Sequence, residues 1–294
     1  MGMREVRRVY QPIWTPNGNS PEYDYQRPSA ERYEVIKELA SKFNRRFSVL
    51  DIGSNYGYFD VRLMEDFDCT CVLVDNKFVA PVLKMNNCLD RTVVIQEHLQ
   101  ADVLEALSKS EHFDIVLGLA VLHHFDDPER AFNAIRKLGW WNIFEIPGEK
   151  DIGAANPAKH QAISDLFIDS EPMGHFPSHV SDSLRPYYLL ENDSYIFEQT
   201  LDAGDRGAPV YEGYDVRCDF DENVFIKKSD QGDVEREFVP GMNLYNFQRL
   251  GGIWPSEEYI KEEIEKHKNH PDFQPWNFVV GNGITPIDLE DKFA

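Results

Sequence analysis

The sequence predicts an α/β protein built on a doubly wound, mainly parallel sheet. Two observations carry this. Five short apolar runs alternate with stretches of helical periodicity between about residues 29 and 147, the pattern that βαβ units produce. The first run ends in an acid and a glycine-bearing turn, "VLDIGSNYGYFDVRLM" over 49–64, which is the strand–turn–helix setting of a nucleotide loop.

Taken in order, residues 1–28 are rich in Pro, Asn and Tyr and read as an irregular N-terminal arm. Ser29 stands at a helix N-cap position, with Glu31 in the first turn and Val35, Ile36, Leu39 and Ala40 on one apolar face. Strands are expected at 47–52, 69–75, 92–98, 113–120 and 140–146, with helices around 58–66, 78–88, 101–109 and 128–138. Asp126 and Asp127, before Pro128, read as turn and helix-start residues. Beyond Glu145, "NPAKHQAISDLF" reads as a helix, and 174–180 and 185–192 as a C-terminal antiparallel hairpin. The domain from residue 29 then closes at about 192, leaving 193–294 as a separate segment.

Composition narrows the partners. The chain carries 30 Lys and Arg against 51 Asp and Glu, a formal charge of -21. Such a surface repels nucleic-acid backbone and anionic membrane, so neither is an expected partner. No apolar run approaches the roughly 20 residues of a membrane span. Cys69, Cys71, Cys88 and Cys218 lack metal-type spacing and read as reduced core thiols of a cytoplasmic protein.

The ligand of a doubly wound sheet lies beyond the carboxyl ends of the strands. Here the first turn is Asp51-Ile-Gly53-Ser-Asn55-Tyr-Gly57, a G-x-N-x-G spacing instead of the dinucleotide G-x-G-x-x-G. Its leading carboxylate would repel a pyrophosphate but suits a ligand with an ammonium group. Asp75 closes the second strand, 24 positions after Asp51, where a carboxylate can accept ribose hydroxyls.

This combination resembles motif I of the class I S-adenosylmethionine (SAM)-dependent methyltransferases. The resemblance implies SAM as cofactor, with Asp51, Gly53, Asn55, Gly57, Asp75, Asn76 and Leu119 around it. Asp102 is then either an adenine contact or a helix cap. The fourth strand leads into "GLAVLHHFDDPERAF", which in that family faces the methyl group and the substrate. His123 and His124 become candidate general bases or substrate contacts, the plainer reading being that one of them packs against the sheet.

The tail carries a second signature. His270-x-Asp272, Asn277 and Asp288 follow the order of a protein-kinase catalytic loop and its metal-binding residues, with ATP and Mg as the implied ligands. Upstream, "NVFIKK" with Lys227 resembles the strand bearing the ATP lysine, and "VEREFVPGMNL" the hinge between kinase lobes. Together the segments resemble the bifunctional methyltransferase–kinases that terminate O-antigen polysaccharide chains. Those enzymes phosphorylate the terminal sugar of a mannan-type chain and methylate that phosphate.

The departures are specific. Lys227 and Glu237 are too close to hold the helix whose Glu pairs with the ATP lysine, D-L-E replaces D-F-G, and "LDAGDRGAP" is a poor phosphate loop. Residues 193–294 are therefore expected to be a small α+β kinase-like remnant, without phosphoryl transfer, that packs on the catalytic domain or mediates oligomer assembly.

The expected acceptor is a sugar or glycan terminus, methylated on a phosphate or a hydroxyl. A phosphate is already anionic and needs cations, for which Arg27, Arg32 and Arg185 are the candidates, although each alone reads as a surface residue. A hydroxyl would call on His123 or His124 instead. Tyr23 and Tyr25 could form a lid over the cofactor. The competing readings are a small-molecule O-methyltransferase with a structural tail, a methyltransferase with a still-active minimal kinase, and a SAM-binding assembly module without turnover.

Overall fold

The computed structural model describes residues 7–77, 79–148, 150–151, 157–192, 195–198, 213–217, 224–229, 234–269, 274–275 and 278–286, the strands between 195 and 237 by backbone alone. Five parallel strands form its centre: β1 (Phe47–Ile52), β2 (Cys69–Val74), β3 (Thr92–Ile95), β4 (Phe113–Leu119) and β5 (Gly139–Glu145). Every residue in them is buried, which is why they read as mainly apolar runs with a few buried polar residues and not as alternating ones. The hairpin strands β6 (Gly174–Pro177) and β7 (Leu184–Glu191) and a two-residue strand, β8 (Gly252–Ile253), complete the sheet in the order β6-β7-β5-β4-β1-β2-β3-β8.

Strand order reverses between β1 and β4, so the crevice for a ligand opens beyond their carboxyl ends. Helices α1 (Ala30–Ala40), α2 (Tyr58–Asp66) and α3 (Ala80–Met85) cover one face. Helices α4 (Ala101–Leu107), α5 (Pro128–Arg136) and α6 (Pro157–Asp165) cover the other. Side-chain alternation splits each strand between the two layers: Leu50 and Ile52 of β1 enter one core, Phe47 and Val49 the other. The hairpin register sets Tyr187 of β7 opposite Glu145 of β5.

Asp127 caps α5 as its sequence position implies, its carboxylate accepting from Arg130 N at 3.0 Å. Ser29 does not cap α1 with its side chain; its hydroxyl donates to the Arg27 carbonyl instead, at 3.3 Å.

The arm is more ordered than its composition suggests. Arg7–Val9 pairs in parallel with Tyr23–Tyr25, and Trp14–Thr15 with Gly18–Asn19. Trp14 donates from its indole to Glu65, while its carbonyl accepts from Asn86. The Arg62 guanidinium lies over the rings of Tyr33, Trp14 and Tyr58 at 3.7, 4.7 and 5.7 Å, tying arm to helices. Strands of two or three residues fall below any periodicity, and the turn residues around them mask the rest.

Antiparallel strands at 195–198, 213–217, 224–229 and 234–237 form a sheet of their own, with Lys227 on the third. The chain then returns to the central sheet. Met242–Asn243, Phe278–Gly281 and Gly283–Pro286 make a three-stranded sheet, linked through α7 (Leu244–Arg249), β8 and α8 (Glu257–His267). Met242, Leu244, Phe247, Phe278, Val280 and Ile284 share one apolar core with α4 and α5, and β8 extends the β3 edge. The described residues from 238 onward thus pack as a layer on the central sheet and share its core. Asp272, Asn277 and Asp288, like His270, lie outside the described residues.

Candidate active site

The β1–α2 turn has the backbone that its glycines imply. Gly53 and Gly57 sit at φ 81° and 69°, and Asn55 at 54°. A Cβ on Gly53 would stand 2.5 Å from Val121 Cγ1, and one on Gly57 2.9 Å from Leu73 Cδ2. The turn can therefore lie close against the sheet and bring its backbone up to a ligand. Gly53 N donates to the Val74 carbonyl at 2.8 Å, and Gln11 of the arm donates to Ser54 O at 2.7 Å.

Asp75 orders this loop. Its Oδ2 accepts from Asn55 N and its Oδ1 from Lys77 N, each at 2.8 Å. One lone pair per oxygen stays available for ribose hydroxyls. Asn55 Oδ1 and Ser54 Oγ are buried without a hydrogen-bond partner among the described residues, as expected of groups that face a polar ligand. Asp51, only 2 % exposed, ends β1 beside the wholly buried Asp60 of α2. A cradle of left-handed glycines, orphaned polar atoms and carboxyls fits SAM, whose ammonium and ribose it can satisfy.

The remaining cofactor candidates divide. Leu119 ends β4, buried, opposite Glu145 in the register. Asn76 is exposed just past Asp75, and Asp102 is exposed in the first turn of α4, where Gln100 holds the cap position.

After Leu119 the chain turns sharply. Ala120 adopts φ 60°, a left-handed corner rare for a residue with a Cβ, and its amide donates to the Glu145 carbonyl at 2.9 Å. The corner delivers His123 and His124 on a single 3-10 turn, Leu122–His124, their ring centroids 4.0 Å apart. Burial, then the charges of His124, Arg185 and Lys159, push His123 down to about 3, and its Nδ1 is buried without a partner. It is a neutral imidazole throughout the neutral range. His124 is lowered also, by burial and His98.

Beside this corner lies an ionic cluster that sequence reading did not assemble. Glu145, at the end of β5, is fully buried. Its Oε2 accepts from Arg27 Nη2 and, at 2.9 Å, from Arg32 Nε; its Oε1 faces Arg32 Nη2 at 3.4 Å and Arg185 Nη1 at 3.5 Å. Arg185 Nε donates to Asp151 Oδ2 at 2.6 Å, and Asp151 Oδ1 accepts the hydroxyls of Ser178 and Ser181 at 2.7 and 2.5 Å. The three arginines, proposed separately from the sequence, therefore converge. They are not surface residues: Arg27, Arg32 and Arg185 are 2, 1 and 4 % exposed.

Burial alone would raise Glu145, but the charges of Arg27, Arg32 and Arg185 outweigh it and hold the carboxyl below its ordinary range. Three guanidiniums against the two carboxylates of Glu145 and Asp151 leave one positive charge in excess. Tyr10 and His179 close the cluster: the Tyr10 ring lies 5.6 Å from the Arg27 guanidinium and edge-on to His179 at 4.9 Å. Tyr25 is 38 % exposed on the arm's outer strand, Tyr23 partly buried beside it.

Glu145, Asp151, Asp60, Tyr10 and His179 are the residues that the sequence did not single out. Glu145 left one signal, a lone acid closing the apolar run "WWNIFE". Tyr10, Asp151 and His179 meet their cluster partners across long stretches of sequence.

This fold and loop define a class I SAM-dependent methyltransferase. The chain belongs to the methyltransferase-domain family, whose profile matches residues 23–185, a span that holds the loop, the histidines and all three arginines. Among solved structures it is similar over nearly its whole length to WbdD. A co-crystal structure of WbdD with the kinase inhibitor LY294002 matches at 18 % identity, covering 97 % of this chain and 80 % of that one, with a TM-score of 0.53. A structure titled as the bifunctional kinase-methyltransferase WbdD matches at the same identity and coverage with a TM-score of 0.51. The N-methyltransferase NodS from Bradyrhizobium japonicum WM9, in complex with S-adenosyl-L-homocysteine, covers 54 % of this chain and 85 % of its own at 16 % identity and a TM-score of 0.38. No curated protein matches the chain. At such identities the WbdD likeness establishes the fold. Among the described residues no helix is long and apolar enough to cross a membrane.

Proposed function

We propose that the protein methylates an anionic sugar or glycan terminus, a phosphate in preference to a free hydroxyl. One observation carries this reading: the net-positive cluster of Arg27, Arg32 and Arg185 on Glu145 stands beside the corner where the methyl group is delivered. Methyl transfer from a sulfonium is an in-line displacement, so the acceptor must be held in line more than activated. Bound SAM supplies the electrophilic methyl. Asp51 and Asp75 orient the ammonium and ribose ends, and Leu119 and the His123 corner wall the transfer path.

A hydroxyl acceptor would need a base, and an imidazole pushed down to about 3 takes a proton poorly. A phosphate oxygen needs none. The arginine cluster favours an anion there through its excess charge, with Arg27 Nε as a buried donor that has no partner among the described residues.

We read the C-terminal segment as structural, because its described part shares the catalytic domain's core. The three free thiols, Cys69, Cys71 and Cys88, all buried, suit a cytoplasmic protein.

The test is transfer of labelled methyl from SAM to paired mannosides, free and terminally phosphorylated, with Asp75→Ala as the cofactor-dependence control. Labelling of the phosphorylated member alone supports the proposal. Labelling of the free sugar alone contradicts it.

A further inference from the structure

The cofactor loop holds two acids where one would serve. Asp51 and Asp60 lie in contact beneath the turn, 2 and 0 % exposed. Neither oxygen of Asp60 makes a full hydrogen bond among the described residues, its nearby donors being its own amide and the Cys71 thiol, and neither acid forms an ion pair among them. A Cβ on Gly57 would stand 3.8 Å from Asp60 Oδ2, so the pair sits directly under the ligand cradle. Two buried carboxylates in contact cannot both be ionised at bearable cost; one proton between them converts repulsion into a hydrogen bond.

We propose that Asp51 and Asp60 share one proton in the free protein, and that the ammonium of the incoming cofactor displaces it, making Asp60 the positioning partner of Asp51. Asp51, at the strand end, presents an oxygen to the ligand while Asp60 holds it from behind. On binding, the O–H bond of the shared proton breaks and the proton leaves to solvent; the ammonium keeps all its protons and supplies the compensating charge. Cofactor affinity therefore rises with pH.

The surroundings agree. Burial pushes both groups up from the carboxylate range, and the charge of Asp60 raises Asp51 further. The ionisable groups facing the pair are Cys69, Cys71 and Cys88 from the β2 side, Asp75 beyond the β2 end and Arg27 from the arm. Only Arg27 is a cation, and it is engaged by Glu145. The inference rests on SAM as cofactor and not on the acceptor.

The experiment is calorimetry of S-adenosylhomocysteine binding between pH 5.5 and 7, in buffers of different ionisation enthalpy, so that released protons are counted. The wild type is expected to release on the order of one proton, with affinity rising up to about tenfold per pH unit. Asp60→Asn keeps a hydrogen-bond donor to Asp51 without a titrating proton. It is expected to bind within a few-fold of wild type, release none and lose the pH dependence. Asp60→Ser, made alongside, repeats the test if the first variant folds poorly. Proton release in either variant equal to wild type, or none in the wild type, overturns the proposal. Failure of the wild type to bind at all would strike the cofactor assignment itself, and methyl transfer to any acceptor would still separate that outcome from an error about the acceptor.

Discussion

Arg32 grips Glu145 through two nitrogens, Nε at 2.9 Å and Nη2 at 3.4 Å, although 113 residues separate them in the chain. The same guanidinium donates to the carbonyls of Pro28 and Pro177, at 2.6 and 2.8 Å. One side chain of α1 thereby ties the end of the arm, the end of β5 and the hairpin into a single frame.

Glu145→Gln is expected to be severely destabilising. It leaves three buried guanidiniums facing only Asp151, and breaking a buried ion pair by removing one partner costs about 3–5 kcal/mol. Because the folded Glu145 lies below its ordinary value, its contribution is present above the unfolded carboxyl's range and fades as pH falls. Urea unfolding at pH 7 and pH 4 reads both effects. The gap between wild type and variant should narrow at the lower pH.

Glu111 has the opposite sign. It is buried, and its Oε1 accepts from Asn246 Nδ2 at 2.6 Å and Asn243 N at 3.1 Å, latching the C-terminal layer to the catalytic domain. Burial pushes it up to about 7 despite those donors. A raised folded value means stability that is full below the unfolded carboxyl's range and lost as pH rises through 7. Glu111→Gln keeps the accepting oxygen and removes the charge. It is expected to be more stable than wild type at pH 8.5, by up to about 3 kcal/mol, and to show no such gain at pH 4.5, as measured by thermal or urea unfolding at each pH.

Gly53→Ala tests the cradle. The left-handed φ of 81° costs a residue with a Cβ roughly 1 kcal/mol, and the new methyl meets Val121 Cγ1 at 2.5 Å. Affinity for S-adenosylhomocysteine should fall at least about tenfold, equivalent to 1.4 kcal/mol, with only a modest loss of melting temperature. Calorimetric binding that matches wild type would show that the loop backbone does not approach the cofactor.

The left-handed turn after the first strand was legible in the sequence because it is local. Asp51, Gly53, Asn55 and Gly57 lie on one turn, and that turn needs left-handed residues where the glycines stand. All five central strands were legible as well, since burial on both faces makes each a mainly apolar run. The arginine cluster was not. Arg27, Arg32 and Arg185 could be suspected one by one, but the carboxylate that gathers them, Glu145, belongs to a strand whose other residues are apolar or neutral. The arm failed for a different reason: its strands are stabilised by Trp14, Arg62 and Asn86 contacts across the chain and have no pattern of their own. The C-terminal layer docks by two residues of strand and a patch of side chains, too little to leave a pattern in the sequence.

The central claim is that the acceptor arrives already anionic and that His123 is not a base. The measurement that tests it most directly is the pH–rate profile of methyl transfer, from pH 6.5 to 9, for wild type and His123→Asn on the phosphorylated acceptor. The account predicts profiles of the same shape with no limb belonging to an imidazole, and a rate in the variant within about tenfold of wild type, short of the factor of 10²–10⁴ that general-base catalysis supplies. A limb in the neutral range that disappears in His123→Asn, together with a loss of that larger size, would contradict it.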